Sequence, residues 1–176
     1  MTENDLGTKT KSRAGDRSMA LLFERHAPSA LRLAYMLTGN RQQAEDLVQD
    51  AFIRMFGRWR DLRDPGAFDA YLKRTVVNLA RSGFRRSRLE RRHLETERAT
   101  AKIPQGMPDL EQREELLAAL AKLPDRQRAA VVLRHLEDLS EQQTAHVLDC
   151  SVGAVKSATS RGIATLRTLM KGAQDG

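Results

Sequence analysis

The 176-residue chain carries 30 Lys or Arg against 23 Asp or Glu, a formal charge of +7 with a pI near 10.1. That length suits one ordinary domain or two small ones, and the basic balance points to a polyanionic partner. No apolar run is long enough to span a bilayer, no charged head leads into an apolar signal core, and a lone cysteine, Cys150, rules out an internal disulfide. The expected compartment is the cytoplasm, and Cys150 is expected to be a small buried side chain in a tight turn. Few aromatics, five prolines and abundant Leu, Ala, Arg and Glu favour helices.

Met1 to Asp16 is polar and aperiodic, which predicts a disordered tail. From Met19 the residues Leu22, Phe23, Ala30, Leu33, Ala34 and Leu37 recur at helical spacing. Pro28 is expected to break or kink that run, and Gly39-Asn40 to stop it. The next helix, about Gln42 to Phe56, turns Ala44, Leu47, Val48, Ala51, Phe52 and Met55 inward. Glu45, Asp46, Gln49 and Asp50 then form an acidic ridge on its other side, which serves as a solvated face or as a docking surface. Asp46 and Asp50 lack the His or further acids that a catalytic or metal site needs.

Arg58 to Gly66 reads as a loop with Trp59 between cations. A helix follows from Ala67 to about Arg92, with Phe68, Leu72, Thr75, Val76, Leu79 and Phe84 inward and Arg74, Asn78, Arg81, Arg85, Arg86 and Arg88 on other faces. Between Gly57 and Arg92 eleven Lys or Arg face four acids, so this stretch alone holds an excess equal to that of the whole chain. Cations beside an exposed aromatic suit a single strand, whose bases stack while its phosphates are neutralised; Trp59 suits a core position equally.

Thr96 to Asp109 loses periodicity, and Pro104-Gln105-Gly106-Met107-Pro108 marks a linker. Helices resume at Leu110 to Leu120, burying Leu116, Leu117 and Leu120. Another, with Pro124 in its first turn, runs to Leu136 and buries Val131, Val132 and Leu133. Ser140 and Gln143 then form a capping box for a short helix whose inward residues are Thr144, Ala145 and Leu148. After the turn Asp149-Cys150-Ser151, a last helix capped by Ser151 carries the stripe Val152, Val155, Thr159, Ile163, Leu166 and Met170. Two helices across a tight turn, with small Ala145 and Gly153 permitting close approach, predict a helix-turn-helix.

The outward face of that last helix bears Lys156, Ser157, Ser160, Arg161 and Arg167, and no acid occurs between Asp149 and Asp175. Lys156, Ser157, Ser160 and Arg161 are candidate readers of base edges in a major groove, and the amides of Gly153 and Ala154 candidate phosphate donors. A solvated basic hairpin is the plainer reading of the same pattern. The expected architecture is all-α: a tail (1–16), a first helical domain (17–95), a flexible linker (96–109) and a second helical domain (110–171).

Ala44-Glu45-Asp46-Leu47-Val48-Gln49-Asp50-Ala51-Phe52, Asn78-Leu79-Ala80, Leu123-Pro124-Asp125-Arg126-Gln127-Arg128 and Val152-Gly153-Ala154-Val155-Lys156-Ser157 together resemble bacterial sigma factors of the extracytoplasmic-function group. The wording around Ala34-Tyr35-Met36-Leu37-Thr38-Gly39 looks like an actinobacterial subgroup. The resemblance runs from about Ser18 to Met170. It implies a non-enzymatic subunit, without metal or other cofactor, that docks on core RNA polymerase, selects promoter DNA and is itself held by an anti-sigma factor. Glu45, Asp46, Gln49, Asp50 and Ile53 would bind polymerase. Arg58, Trp59, Arg60, Arg63, Arg74, Asn78, Arg81 and Arg85 would hold the −10 element, with a flipped base near the loop. Ser151, Gly153, Ala154, Lys156, Ser157, Ser160 and Arg161 would contact the −35 element. The chain departs from the family pattern at Arg81, Ala158, Ser160 and Ile163.

Two rival readings make different demands. A polymerase-independent dimeric regulator needs a dimerisation seam, and no heptad supplies one. A metal-dependent nuclease needs clustered ligands, and His26, His93, His135 and His146 are scattered.

Overall fold

A computed structural model describes residues 4–58, 67–90 and 110–174. In chain order these form α1 (Asn4–Thr38), α2 (Arg41–Arg58), α3 (Phe68–Glu90), α4 (Leu110–Ala121), α5 (Asp125–Val131), a π-helical segment (Val132–Leu136), α6 (Glu141–Leu148) and α7 (Val152–Gln174), with no strand among the described residues. The stretch read as a linker and the loop bearing Trp59 lie outside the described residues.

In the first half, α1, α2 and α3 each pack on the other two. The inward residues expected from periodicity are there: Leu33, Ala34, Ala44, Val48, Ala51, Met55, Phe68, Leu72 and Val76 are all buried. Phe52 joins the three helices, meeting Phe23 edge-on at 4.7 Å between centroids and Phe68 at 6.1 Å. Fully burying such a side chain stabilises by about 1.5–3 kcal/mol, and of the three Phe52 and Phe68 are buried. Gly39, at φ +67°, ends α1 with its amide on the Tyr35 carbonyl at 2.8 Å. Asn40 then accepts from the Gln43 amide at 3.0 Å, so stop and start signals adjoin as expected.

Two expectations for α1 are corrected. The helix is continuous from Asn4, so the tail predicted to be disordered is helical over most of its length. Extending a formed helix costs far less than nucleating one, and the packed part of α1 supplies the nucleus. Pro28 lies inside the helix without ending it. It is exposed, where water serves the carbonyl that proline leaves unbonded, and Ser29 bonds the neighbouring His26 carbonyl at 3.0 Å.

In the second half α7 is the hub, touched by α4, α5 and α6. Three differences from the sequence reading matter. Pro124 is the N-cap of α5 rather than its first turn. From Val132 the helix widens to a π form, with Glu137 donating to the Val132 carbonyl at 3.0 Å. Of the two small residues expected to permit close approach, Ala145 is buried but Gly153 is exposed, and the tightest approach is instead that of α5 to α7 at Gly162, where a Cβ would lie 2.6 Å from Val131 Cγ2. Ala158, one of the departures noted above, is buried on the same side.

The halves do not stand apart. α3 packs on α6, and α1 on α4 and the π segment. Buried Arg128 of α5 donates to the Leu37 carbonyl at the end of α1 at 2.7 Å and to the Ala121 and Leu123 carbonyls at 2.9 and 3.2 Å. One guanidinium thereby caps the C-terminal carbonyls of two helices, where the helix dipole favours a cation.

Gly162→Ala is expected to destabilise the second half by about 1–3 kcal/mol through overpacking. Val131→Ala in the same chain should recover part of that loss, measured as a non-additive shift in urea unfolding. Additive losses would mean that the two sites do not meet.

Candidate nucleic-acid interface

The helix-turn-helix assembles as its capping chemistry dictates. Ser140 Oγ accepts from the Gln143 amide at 3.1 Å while Gln143 Oε1 accepts from the Ser140 amide at 2.8 Å, the reciprocal pair of a capping box. Asp149 ends α6 in the left-handed region at φ 53°, a conformation that Asp tolerates better than most residues. Ser151 caps α7 by accepting from the Ala154 amide at 3.2 Å. That bond removes Ala154 from the candidate phosphate donors and leaves Gly153, exposed at the helix start, as the remaining donor of the pair. Cys150 is half-buried against the core.

Of the candidate readers, Lys156, Ser157, Ser160 and Arg161 are all exposed along one side of α7, as is the cap Ser151. The face is less one-signed than the sequence implied, because Glu141 of α6 stands 3.5 Å from Lys156 Nζ. Arg161 folds back to donate to the Ser157 carbonyl at 3.2 Å, a bond that it can exchange for an anion. Ile163 is half-buried and packed on the core, so neither it nor Ala158 faces a duplex.

On α2, Asp46, Gln49 and Asp50 are exposed, with Ile53 63% and Phe56 52% exposed beside them. Residues three and four apart share a helix face, so these acids border an apolar strip. Glu45 differs: Arg41 holds it at 2.7 Å, and it is half-buried. On α3, Asn78 is exposed, Arg81 half-buried, and Arg74 meets Asp149 Oδ1 at 3.5 Å across the two halves. Arg58 ends α2 and Arg85 lies in the last turns of α3, both with side chains outside the described residues, while Trp59, Arg60 and Arg63 lie outside them altogether.

A chain of close polar and ionic contacts missed by sequence reading links α1, α3 and the end of the π segment. His26 Nδ1 lies 3.4 Å from Asp69, Asp69 lies 3.0 Å from Lys73, Lys73 lies 3.3 Å from Glu137, and Glu137 lies 3.7 Å from Arg32. Burial pulls the Lys73 ammonium down, but its hydrogen bond and charge contact with Asp69, then those with Glu137, outweigh this and hold its pKa above the ordinary lysine value.

Two family descriptions match the chain: "Sigma-70 region 2" over residues 22–90 and "Sigma-70, region 4" over residues 113–166. The RNA polymerase sigma-E factor of Streptomyces coelicolor is 37% identical over 142 residues, covering 78% of this chain and 77% of that protein. The ECF RNA polymerase sigma factor SigE of Mycolicibacterium smegmatis is 36% identical over 176 residues, covering 94% and 68%. The chain is a sigma factor of the extracytoplasmic-function group. Among solved structures, the sigma factor RpoE in complex with the anti-sigma factor NepR from Bartonella quintana matches with a TM-score of 0.74 at 25% identity, over 88% of this chain and 98% of that one. CnrH, in complex with the cytosolic domain of CnrY, matches at 0.66 and 26% identity, over 92% and 94%. The function of this sigma factor is that of its group, promoter-specific initiation of transcription with RNA polymerase, and the reading as a polymerase-independent regulator is not favoured. Region 2 corresponds to the α1–α3 half and region 4 to the half centred on α7.

A raised lysine pKa stabilises the fold fully below the unfolded value and progressively less as pH climbs through the folded one. For Lys73 that window opens near pH 10.5 and extends upward. Glu137→Gln should lower the Lys73 pKa while leaving the contact with Asp69, followed by NMR titration of the lysine side chain. An unchanged titration would show that Glu137 does not act on it.

Proposed function

We propose that the sigma factor divides its contacts among three surfaces. Asp46, Gln49 and Asp50 with the apolar strip of Ile53 and Phe56 dock on a basic and apolar surface of core polymerase, with Glu45 held alongside by Arg41. Arg74, Asn78 and Arg81 on α3, together with Arg58, Trp59, Arg60, Arg63 and Arg85, hold the separated −10 strand by neutralising its phosphates and stacking its bases. Ser151, Gly153, Lys156, Ser157, Ser160 and Arg161 sit in the major groove of the −35 element.

The observation that carries this reading is the presence, on one small chain, of an exposed acidic and apolar ridge on α2 and a separate exposed basic face on α7. Duplex DNA repels the first surface and takes up the second with release of counterions, so the two serve different partners. We read its action as binding alone, on the RNA polymerase of the cytoplasm, from its likeness to the sigma factors it matches. Among the described residues no group of three metal-ligating side chains occurs, and no described helix is long and apolar enough to cross a membrane. An anti-sigma factor is a further partner, supported by the likeness to RpoE, which was captured with the anti-sigma factor NepR.

The test is run-off transcription on genomic fragments with purified core polymerase. Asp50→Ala is expected to weaken binding to core without altering which promoters are used. Arg161→Ala should reduce −35-dependent initiation by about tenfold, the worth of one good base contact of 1–3 kcal/mol. If both variants match the parent chain in polymerase pull-down and in promoter use, the assignment of these surfaces is wrong.

A further inference from the structure

Lys156, one of the candidate readers on α7, is paired with an acid of the neighbouring helix, Glu141. Resting on the reading of α7 as the −35 contact, we propose that Glu141 is a positioning residue for promoter discrimination. It holds the Lys156 ammonium where the edge of a base can share it, and it opposes transfer of that ammonium to a backbone phosphate.

Local structure fixes where both ends of the pair stand. Ser140 caps α6, which makes Glu141 the first residue of that helix. The left-handed turn at Asp149, with the Cys150 amide on the Ala145 carbonyl at 3.0 Å, brings α7 back against α6. Lys156, one turn into α7, then reaches across until its Nζ lies 3.5 Å from Glu141 Oε2. Lys156 keeps 61% of its side chain exposed and Glu141 39%, so both charges stand where a duplex meets them. The other cation among the readers is anchored differently, since Arg161 Nε donates to the Ser157 carbonyl of its own helix at 3.2 Å.

A carboxylate on such a face lowers affinity for any duplex, because phosphates repel it. Specificity, however, is a difference between two affinities, and a repulsive group raises it wherever the wrong complex suffers more. Lysine is a compact point charge on a flexible stem, with three donors and no fixed fork. Unrestrained, it settles on a phosphate, a contact that carries no sequence information. To reach a phosphate from the observed pair, Nζ has to leave Glu141 and set an uncompensated carboxylate against the backbone. To reach O6 or N7 of a guanine, it keeps the carboxylate on one donor and gives the base another. The pair thus handicaps the sequence-blind contact more than the base contact. Being exposed, it adds little to the stability of the fold, and the capping box of Ser140 and Gln143 persists without it.

The test uses the chain assembled with core polymerase and two labelled duplexes: a fragment on which the parent chain initiates, and the same fragment with its −35 element scrambled. Fluorescence anisotropy across a salt series gives both affinities, and circular dichroism checks that helicity is unchanged. Glu141→Gln is expected to tighten binding of the scrambled duplex about threefold, the scale of one exposed ion pair, and to change the promoter duplex less, so that discrimination falls. On the scrambled duplex the slope of log K against log salt should steepen by about 0.9, the mark of one more phosphate neutralised. In a Lys156→Gln background, Glu141→Gln should change neither affinity, a non-additivity that net charge alone does not produce. Glu115→Gln removes an exposed acid from α4 and should leave discrimination as it is. Equal tightening of both duplexes, or the same gain in the Lys156→Gln background, overturns the proposal. So does loss of promoter binding from Glu141→Gln, which would make Glu141 itself the base contact. If Lys156→Gln alone alters neither duplex, the −35 role given to Lys156 falls. If it weakens promoter binding while Glu141→Gln leaves discrimination unchanged, that role stands and only the positioning by Glu141 fails.

Discussion

A carboxylate removed from water must find cations, and for Glu137 both come from across the chain. Lys73 of α3 and Arg32 of α1 compensate a side chain that is carried on the second half and is all but closed to solvent. Placed there without them, the carboxylate would be a buried charge with no compensation. The seam thereby fixes one relative position for two helical clusters that apolar packing alone would let slide. The Leu37 carbonyl adds a directional constraint: as one of the last acceptors of α1 it lacks a partner within its helix, and Arg128 supplies one. Both contacts convert ends and corners, the weak points of helices, into points of registration.

Local order explains which parts of this could be read from the residues. The 3.6-residue period of apolar side chains located α2, α3, α6 and α7, because each buries one face and exposes the other. Ser140 with Gln143 announced a helix start, since a cap is satisfied within a few residues. Asp46, Asp50, Ser157 and Ser160 lie exposed on faces that the same period left outward. What escaped is what distant residues decide. Arg128 and Leu37 are 91 positions apart, and neither has a neighbour that signals the bond. Val132 to Leu136 has the same apolar spacing whether wound as α or π. Gly162 looks like a weak point of a helix until Val131 is found against it. Pro28 carries a strong local signal to stop, and packing of α1 on α2 and α3 overrides it.

The same division holds for the interfaces. Sequence assigns charge to helices but not to partners within the fold, so Glu45, Arg74 and Lys156 each read as available while Arg41, Asp149 and Glu141 stand on them. Of these pairs only Arg74–Asp149 joins the two halves. The other two lie within one half and would persist in any arrangement.

The two basic surfaces consequently differ in how they are presented. On α7 the candidate readers all face solvent, and the Lys156–Glu141 pair, largely exposed, is the weak kind that a phosphate displaces. On α3, Lys73 and Arg74 meet acids of the other half, Glu137 and Asp149, and are 12% and 31% exposed.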